Sequence, residues 1–221
     1  MNKDLLIFPG GGSPENSLYR KVYDLLQAEA KNVGYEDISV LSWPGHSDDK
    51  NEFSSDLSMR GAMEIALASI EEQEESSRSF DILARSFGTV VALSCARAKP
   101  PRGLGRLILW GPPPFWLMWE LFGNDPHANG SKYLNKGLRV SREFFSGLSP
   151  VEFLLRNITV ETTVATGELD PYCTPEFHSY LKAMHGTQER IRFPEPVVGC
   201  GHEVTADNPH RKEYIDALFA H

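Results

Sequence analysis

The sequence predicts an α/β protein, a three-layer α/β/α sandwich whose mostly parallel sheet has about six strands. Two observations predict this class. Short, nearly continuous apolar runs alternate with segments in which apolar residues recur every three or four positions; these are the patterns of buried strands and of the helices that cover them. Most of the apolar runs end at loops rich in glycine and proline, and functional groups collect in the loops at the carboxyl ends of parallel strands.

Length and composition indicate one domain that spans residues 1–221. A chain of 221 residues, 41% of them hydrophobic and 24% charged, can bury a substantial single core. The net charge of -8 argues against nucleic acid or an anionic membrane as the main partner, since either requires a basic face. No apolar run approaches the length of a membrane span, and the N-terminal run lacks a signal-peptide cleavage site. We therefore expect a cytoplasmic protein.

The cysteine pattern favours free thiols. Cys95, Cys173 and Cys200 are an odd number, widely spaced and without a C-x-x-C pair, which argues against a disulfide framework and a zinc knuckle. We expect neither a metal nor an organic cofactor.

The strands are predicted, in chain order, from apolar runs bounded by turn-forming residues or polar loops. The last of them has an irregular, proline-containing extension. The predicted strands are Leu5–Phe8, Ile38–Leu41, Phe80–Arg85, Leu104–Trp110, Ile158–Ala165 and Arg190–Phe193.

The helices are predicted from apolar residues that share one face. The first follows Ser13-Pro14, a pair that suits an N-cap and a first helical position, and it stops near Gly34. The others are a helix that carries Met59–Ile70, a helix that starts at Ser86 and closes at Lys99–Pro101, and the segments Pro175–Met184 and Pro209–Phe219.

Residues 112–149 interrupt the alternation of strands and helices. Aromatic residues crowd together and a polar stretch rich in asparagine and glycine follows, which indicates an inserted pair of short helices rather than sheet. The position of the insertion favours a small cap over Ser86, with Trp116, Trp119 and Phe122 lining an apolar pocket. The alternatives are a patch packed on the domain's own core and a dimer surface.

The segment Ala84-Arg85-Ser86-Phe87-Gly88 joins a predicted strand to a predicted helix. A sharp turn at this junction strains the backbone of Ser86 and presents its hydroxyl at a helix N-terminus, where free N–H groups favour negative charge. This is the local design of a nucleophilic serine in acyl transfer, with Ala84 at the place of the first glycine of G-x-S-x-G. The isolated pattern also occurs by chance in many chains.

Two further polar residues follow predicted strands. Asp170 comes after the strand that ends at Ala165, and His202 comes after the last strand. Because the carboxyl ends of parallel strands meet at one edge of the sheet, we expect both to lie near Ser86. Taken singly, Asp170 is also explained as a turn former before Pro171, and His202 as a surface loop histidine.

Together these features resemble the α/β-hydrolase superfamily, and the resemblance covers nearly the whole chain. It is carried by the elbow at Ser86, the loops Gly167–Asp170 and Gly199–His202, their chain order, and Ser149-Pro150 before the strand of the acid. The resemblance implies that Leu5–Phe8 matches the third strand of the family, so that the first two strands are lacking.

The resemblance implies a catalytic triad in which Ser86 is the nucleophile, His202 its base and Asp170 the acid that orients the base. It also implies an oxyanion hole. One donor would be the backbone N–H after the nucleophile, and the other an N–H of the glycine loop that follows the first strand. The residues are Phe87 for the first donor and Gly11, then Gly12, for the second.

Two features keep alternatives open. The glycine loop is also explained as a tight turn or as a phosphate cradle, although no P-loop or dinucleotide fingerprint follows it. Arg85, a charge beside the nucleophile, is either structural or attracts an anionic substrate.

We therefore expect a serine esterase or thioesterase that cleaves a carboxylic ester, or a thioester, of a small to medium apolar acyl group. Its partner would be the small-molecule substrate, and the protein a monomer or homodimer. Amidase and lactonase activities are alternatives within the same chemistry. A non-catalytic small-molecule-binding protein on the same fold, or an interaction protein that uses the aromatic insertion, are alternatives from other classes.

Overall fold

The computed structural model describes residues 3–11, 17–44, 58–76, 78–98, 100–116, 132–134, 138–140 and 147–219. The strands are β1 (Lys3–Phe8), β2 (Tyr35–Val40), β3 (Ser79–Arg85), β4 (Leu104–Trp110), β5 (Lys132–Leu134), β6 (Leu138–Val140), β7 (Glu161–Ala165) and β8 (Ile191–Arg192). The helices are α1 (Ser17–Asn32), α2 (Met59–Ser76), α3 (Phe87–Ala98), α4 (Val151–Leu154), α5 (Pro175–His185) and α6 (Arg211–Phe219).

Six of these strands form one sheet in the order β2-β1-β3-β4-β7-β8, and every neighbouring pair is parallel. The predicted α/β class and strand number are thus confirmed. Strands β2 and β3 lie on opposite sides of β1, so the order of strand addition reverses there. In open parallel sheets, ligands bind in the crevice outside the carboxyl ends of the strands at such a reversal.

The sheet separates two apolar cores. Alternate side chains of each strand point to opposite faces; along β3, Phe80, Ile82 and Ala84 join the core beneath α2, α3, α4 and α5, while Leu83 joins the core beneath α1 and α6. This is the predicted three-layer arrangement. No helix in the described parts of the chain combines the length and the apolar character that crossing a membrane requires.

The element boundaries differ from the predicted ones at the edge strands β2 and β8 and at the start of β7, which begins at Glu161 rather than Ile158. Strand β2 begins at Tyr35 rather than Ile38, because Tyr35 pairs with Lys3 and donates its phenolic proton to the buried carboxylate of Asp81, 2.6 Å away. Strand β8 has only two residues, and pairing beyond it is limited to an isolated bridge between Gly167 and Val197.

The insertion at 112–149 does not consist of helices alone. Its described residues include a short antiparallel pair, β5 with β6, in which Lys132 faces Val140 and Leu134 faces Leu138. The expectation of two helices rather than sheet was therefore wrong for residues 132–134 and 138–140. The aromatic crowding on which that expectation rested lies earlier in the segment, whereas these strands follow the polar stretch.

A buried ion cluster lies at the amino ends of the central strands. The fully buried carboxylate of Asp81 meets Lys3 Nζ at 2.7 Å and Arg106 Nε at 2.8 Å, and it also accepts the phenolic proton of Tyr35. These contacts satisfy both oxygens of a charge that would be costly to bury alone. The cluster joins β1, β2, β3 and β4 at the end of the sheet opposite to Ser86.

Candidate active site

Ser86 sits in a strained turn between β3 and α3. Its φ of 49° lies in the left-handed region, which non-glycine residues seldom adopt. The Ser86 N–H donates to the carbonyl of Trp110 at 2.9 Å, and the Ser86 carbonyl accepts the N–H of Thr89 at 2.9 Å. The residue therefore closes the strand and starts the helix, as the sequence predicted.

Gly88 allows this helix start to touch the end of β1. A Cβ on Gly88 would lie 2.5 Å from the carbonyl oxygens of both Phe8 and Pro9, closer than any side chain tolerates. Glycine at this position therefore allows the start of α3 to approach β1, the strand beside β3. The elbow is thereby packed onto the glycine loop that follows β1.

Asp170 and His202 form a buried pair. Asp170 Oδ2 lies 2.8 Å from His202 Nδ1, and the two residues are 2% and 7% exposed. The other oxygen, Oδ1, accepts the backbone N–H groups of Tyr172 and Cys173 at 2.8 and 2.9 Å. Asp170 is thus a turn former and an imidazole partner at once, and the burial of His202 excludes the surface-loop interpretation.

Gly111 places this pair beside the elbow. It follows β4, its φ is 58°, and a Cβ there would lie 2.8 Å from Asp170 Oδ2 and 2.9 Å from His202 Nδ1. Since the carbonyl of Trp110, the residue before Gly111, accepts the Ser86 N–H, the imidazole lies one strand away from Ser86. The structure brings Ser86, Asp170 and His202 to one edge of the sheet.

The loops that carry Asp170 and His202 are bonded to each other. The N–H of Leu169 donates to the carbonyl of Cys200 at 2.8 Å, and the N–H of Glu168 donates to the carbonyl of Val197 at 2.9 Å. A Cβ on Gly167 would lie 2.1 Å from the Cys200 oxygen, so this contact requires glycine. The backbone therefore joins the loop of the acid to the loop of the imidazole as far as Cys200, which precedes Gly201 and His202.

The glycine loop after β1 is anchored from two sides. The N–H of Gly10 donates to the phenolic oxygen of Tyr23 at 3.1 Å, and the indole Nε1 of Trp43 donates to the Pro9 carbonyl at 3.0 Å. A Cβ on Gly10 would lie 3.1 Å from Ser86 Cβ, which places the loop beside the elbow. Gly11 follows at once, whereas Gly12 lies outside the described residues.

The sequence did not predict the surroundings of the imidazole. Its ring packs against the ring of Tyr172 in a T-shaped arrangement, with a centroid distance of 4.8 Å. The backbone carbonyl of His202 accepts two side-chain bonds, from Arg85 Nη2 at 2.7 Å and from Trp110 Nε1 at 2.9 Å. The sequence contained one indication of these contacts, because Arg85 and Trp110 are the last residues of β3 and β4 and so lie at the edge of the sheet where the site is expected. Arg85 is 3% exposed, which favours the structural role over attraction of an anionic substrate.

Of the three aromatic residues predicted for the pocket, the structure describes only Trp116. Trp116 is 53% exposed, while Trp119 and Phe122 lie outside the described residues. A lining role for these three residues stays a prediction.

The two cysteines near the site are poor nucleophiles. Burial raises the pKa of the Cys173 thiol, and the neighbouring Asp170 carboxylate raises it further; burial also raises the pKa of Cys200. Both are buried and free. Since the thiolate is the reactive form, Ser86 is the stronger candidate.

Comparison with known proteins gives likeness of structure alone. No protein-family model and no curated protein matches the sequence. Est1E from Butyrivibrio proteoclasticus, solved with ferulic acid, is similar with a TM-score of 0.75 at 14% identity, over 99% of this chain and 86% of that chain.

A monoacylglycerol lipase from Paleococcus ferrophilus is similar with a TM-score of 0.69 at 16% identity, over 99% of this chain and 94% of that chain. An alpha-beta serine hydrolase homologue from Coxiella burnetii has a TM-score of 0.61 at 15% identity, over 98% of this chain and 83% of that chain. At such identities the comparisons establish the fold, and the chemistry is argued from the residues.

Proposed function

We propose that this chain, which has the α/β-hydrolase fold, is a serine hydrolase that cleaves a carboxylic ester or thioester through an acyl-enzyme on Ser86. One observation carries the proposal. A strained serine at a helix N-terminus lies one strand away from a buried carboxylate–imidazole pair. Backbone strain persists where function maintains it, and this combination supplies a nucleophile, a base and an orienting acid.

In the acylation step, Ser86 Oγ attacks the carbonyl carbon of the substrate while His202 Nε2 takes the hydroxyl proton. The carbon–oxygen bond of an ester, or the carbon–sulfur bond of a thioester, then breaks, and the imidazolium returns the proton to the departing alkoxide or thiolate. Asp170 Oδ2 holds Nδ1–H of the imidazole, which fixes the tautomer and stabilises the imidazolium. In deacylation, water gives a proton to His202 Nε2 as it attacks the acyl carbon. The bond from that carbon to Ser86 Oγ then breaks, and the imidazolium returns the proton to Oγ as the acid leaves.

The negative charge that develops on the carbonyl oxygen requires preset donors. We assign these to the backbone N–H of Phe87, at the first turn of α3, and to Gly11, with Gly12 as the second choice. The bond between the Gly10 N–H and Tyr23 supports this choice, because Gly10 is already engaged and the next amide is Gly11. One such donor is worth about 3 kcal/mol of transition-state stabilisation.

The substrate class is proposed from the aromatic insertion and from the neighbours. Exposed Trp116, together with Trp119 and Phe122, supports an apolar acyl pocket. The similar structures include Est1E with ferulic acid bound and a monoacylglycerol lipase, and the lipase is consistent with ester cleavage. Chromogenic esters of increasing acyl length should show a maximum of kcat/KM at a small to medium chain.

The decisive experiment is covalent labelling with a fluorophosphonate. Ser86 Oγ displaces fluoride from phosphorus, and mass spectrometry of a digest should locate the adduct on the peptide that contains Ser86. Ser86→Ala should abolish labelling and ester hydrolysis while leaving the circular dichroism spectrum unchanged. Asp170→Asn, which keeps the side-chain shape, should slow labelling by about 10⁴-fold.

A folded protein that takes no label and hydrolyses no ester, thioester, amide or lactone would contradict the proposal. Retention of a bound small molecule by such a protein would instead favour the binding role. Cleavage of amides or lactones with Ser86-dependent labelling would keep the mechanism and change the substrate class.

A further inference from the structure

We propose that Arg85 is a positioning residue that fixes the imidazole of His202 through its backbone carbonyl; this inference rests on the proposed function. Arg85 immediately precedes Ser86, at the end of β3. In the proposed mechanism, Arg85 does not contact the reacting atoms. Its role is to tie the loop of the base to the strand of the nucleophile, so that the two keep their distance through the catalytic cycle.

The first argument is the pair of donors on one oxygen. Arg85 and Trp110 are register partners on β3 and β4, and both donate to the His202 carbonyl, at 2.7 and 2.9 Å. A carbonyl oxygen has two lone pairs, and both are used here. Two side chains on adjacent strands thus hold one peptide group over the end of the sheet.

The second argument is that His202 has little other backbone support. Within the described residues, it takes part in no backbone–backbone hydrogen bond. It follows Gly199, with a φ of 68°, and Gly201, so the approach to it is a segment that glycine makes deformable. The carbonyl contacts of Arg85 and Trp110 therefore carry much of its placement.

The third argument is the cost of the charge. The guanidinium is almost wholly buried, its Nε has no hydrogen-bond partner, and among the described residues it makes no ion pair. It lies over the ring of Tyr23, 5.6 Å from the centroid, a favourable but weaker contact, and the charge of Glu203, the residue after His202, also attracts it. An apolar side chain would avoid this desolvation. A charged side chain that is buried without an ion-pair partner departs from the usual pattern of protein cores, and such departures occur most often at functional sites.

Tyr23 extends the connection to the third part of the site. Its ring supports Arg85, and its phenolic oxygen accepts the N–H of Gly10. Burial raises the pKa of Tyr23, so the phenol is neutral at physiological pH and remains able to accept this bond. Arg85 thus lies between the loop of the base and the glycine loop proposed to hold the oxyanion.

The test separates positioning from mere structural support by labelling kinetics. Arg85→Met should lower the maximal rate of fluorophosphonate labelling by about 10-fold or more, while the half-saturating probe concentration stays within about twofold of the wild-type value. Arg85→Lys, which keeps a cation and a donor, should recover part of the rate. Trp110→Phe should also slow labelling. In the variant that carries both Arg85→Met and Trp110→Phe, the fold-decrease in labelling rate should be smaller than the product of the two single decreases, because both donors act on one oxygen.

The matched control is Arg97→Met. Arg97 Nη1 also donates to a backbone carbonyl, that of Phe153 at 2.9 Å, but it lies at the far end of α3. This variant should leave the labelling rate unchanged. All rates are measured on protein whose folded fraction is known from circular dichroism, so a loss of stability alone does not count as a loss of rate.

A second readout does not depend on activity. The Nδ1 proton of His202 gives an NMR signal whose exchange with solvent reports how firmly the imidazole is held against Asp170. Exchange should be faster in Arg85→Met and near normal in Arg85→Lys.

If the wild type labels at Ser86 and Arg85→Met labels equally fast, the positioning role is wrong while the proposed function stands. If the wild type does not label, the proposed function fails, and unchanged proton exchange in Arg85→Met overturns the positioning role independently. Should Arg85→Met not fold, Arg85→Lys and Trp110→Phe decide by the same readouts.

Discussion

The imidazole of His202 lies against the backbone of Gly111, so close that a Cβ at position 111 would be 2.9 Å from its Nδ1. Gly111→Ala should therefore displace the imidazole or the Asp170 carboxylate, which lies 2.8 Å from the same point. We expect kcat with a chromogenic ester to fall by about 100-fold.

Gly34→Ala is the control for this change. Gly34 also has a positive φ, of 99°, but nothing lies within 4 Å of its added Cβ. It should cost about 1 kcal/mol of unfolding free energy from strain alone and leave kcat unchanged. An active Gly111→Ala enzyme would show that the pair is not held as the geometry requires.

Gly88→Ala tests the close packing of α3 on β1. The added Cβ would meet two backbone carbonyl oxygens at 2.5 Å, and backbone cannot yield as a side chain does. We expect the free energy of unfolding to fall by about 3 kcal/mol, measured by urea denaturation. Gly201→Ala, whose Cβ would have its nearest neighbour at 3.7 Å, should cost far less; equal losses would count against this explanation.

Asp81→Asn tests the buried ion cluster at the amino end of the sheet. The amide removes the charge that faces Lys3 and Arg106 at 2.7 and 2.8 Å, and leaves the two cations in mutual repulsion. We expect a loss of about 3 kcal/mol in the free energy of unfolding. Because the cluster lies at the far end of β3 from Ser86, kcat of the folded variant should stay unchanged, and a large drop would contradict that separation.

The three thiols should resist alkylation in the native protein. Burial raises the pKa of Cys95 to about 12 and also raises those of Cys173 and Cys200. At pH 8 we expect iodoacetamide to leave all three unmodified for as long as the protein stays folded, and to modify all three in urea. Rapid modification of a single native cysteine, seen by mass spectrometry, would show that this thiol is accessible and reactive and would contradict the prediction.

Acid should destabilise the fold partly through His178. Burial lowers the pKa of His178, with Lys182 adding to the effect and the bond to the Val164 carbonyl opposing it. The unfolded chain therefore takes up this proton first as pH falls. The contribution of His178 to stability is complete above about pH 6.5 and is lost as pH falls through the lowered value.

His178→Gln keeps an N–H donor for the Val164 carbonyl and removes the titration. Its free energy of unfolding, from urea curves at pH 7.5 and at pH 5.5, should fall less between the two values than that of the wild type. If the free energy of unfolding fell equally in the wild type and in His178→Gln, the acid sensitivity would belong to other groups.

The sequence predicted the edge of the sheet where the site lies, because the end of a strand is marked by the residues next to it in the chain. Apolar runs stop at Ser86, at Gly111 and before Asp170, and parallel pairing brings such ends together whatever the loops do. The dual use of Asp170 could not be read in advance, because its Oδ1 contacts are local whereas Oδ2 faces a residue of another loop.

Partners distant in the chain were not predictable. Arg85 and the carbonyl that it binds are 117 residues apart, and a charge in a buried turn gives no sign of which carbonyl will face it. The early start of β2 had the same cause, since Tyr35 is held by Asp81, 46 residues away. The antiparallel strands β5 and β6 have only three residues each, which is too short for the period-two alternation of a strand to be recognised in the sequence.

Strand β3 is pinned at both of its ends, by Lys3 and Arg106 at Asp81 and by the His202 carbonyl at Arg85. Contacts at both ends keep β3 from shifting along its own axis. The position of the Ser86 hydroxyl at the carboxyl end of the sheet is therefore fixed relative to the rest of the crevice. Loops around the rim can be lengthened or exchanged to admit other molecules without moving that hydroxyl, which makes the rim the natural ground for altering selectivity.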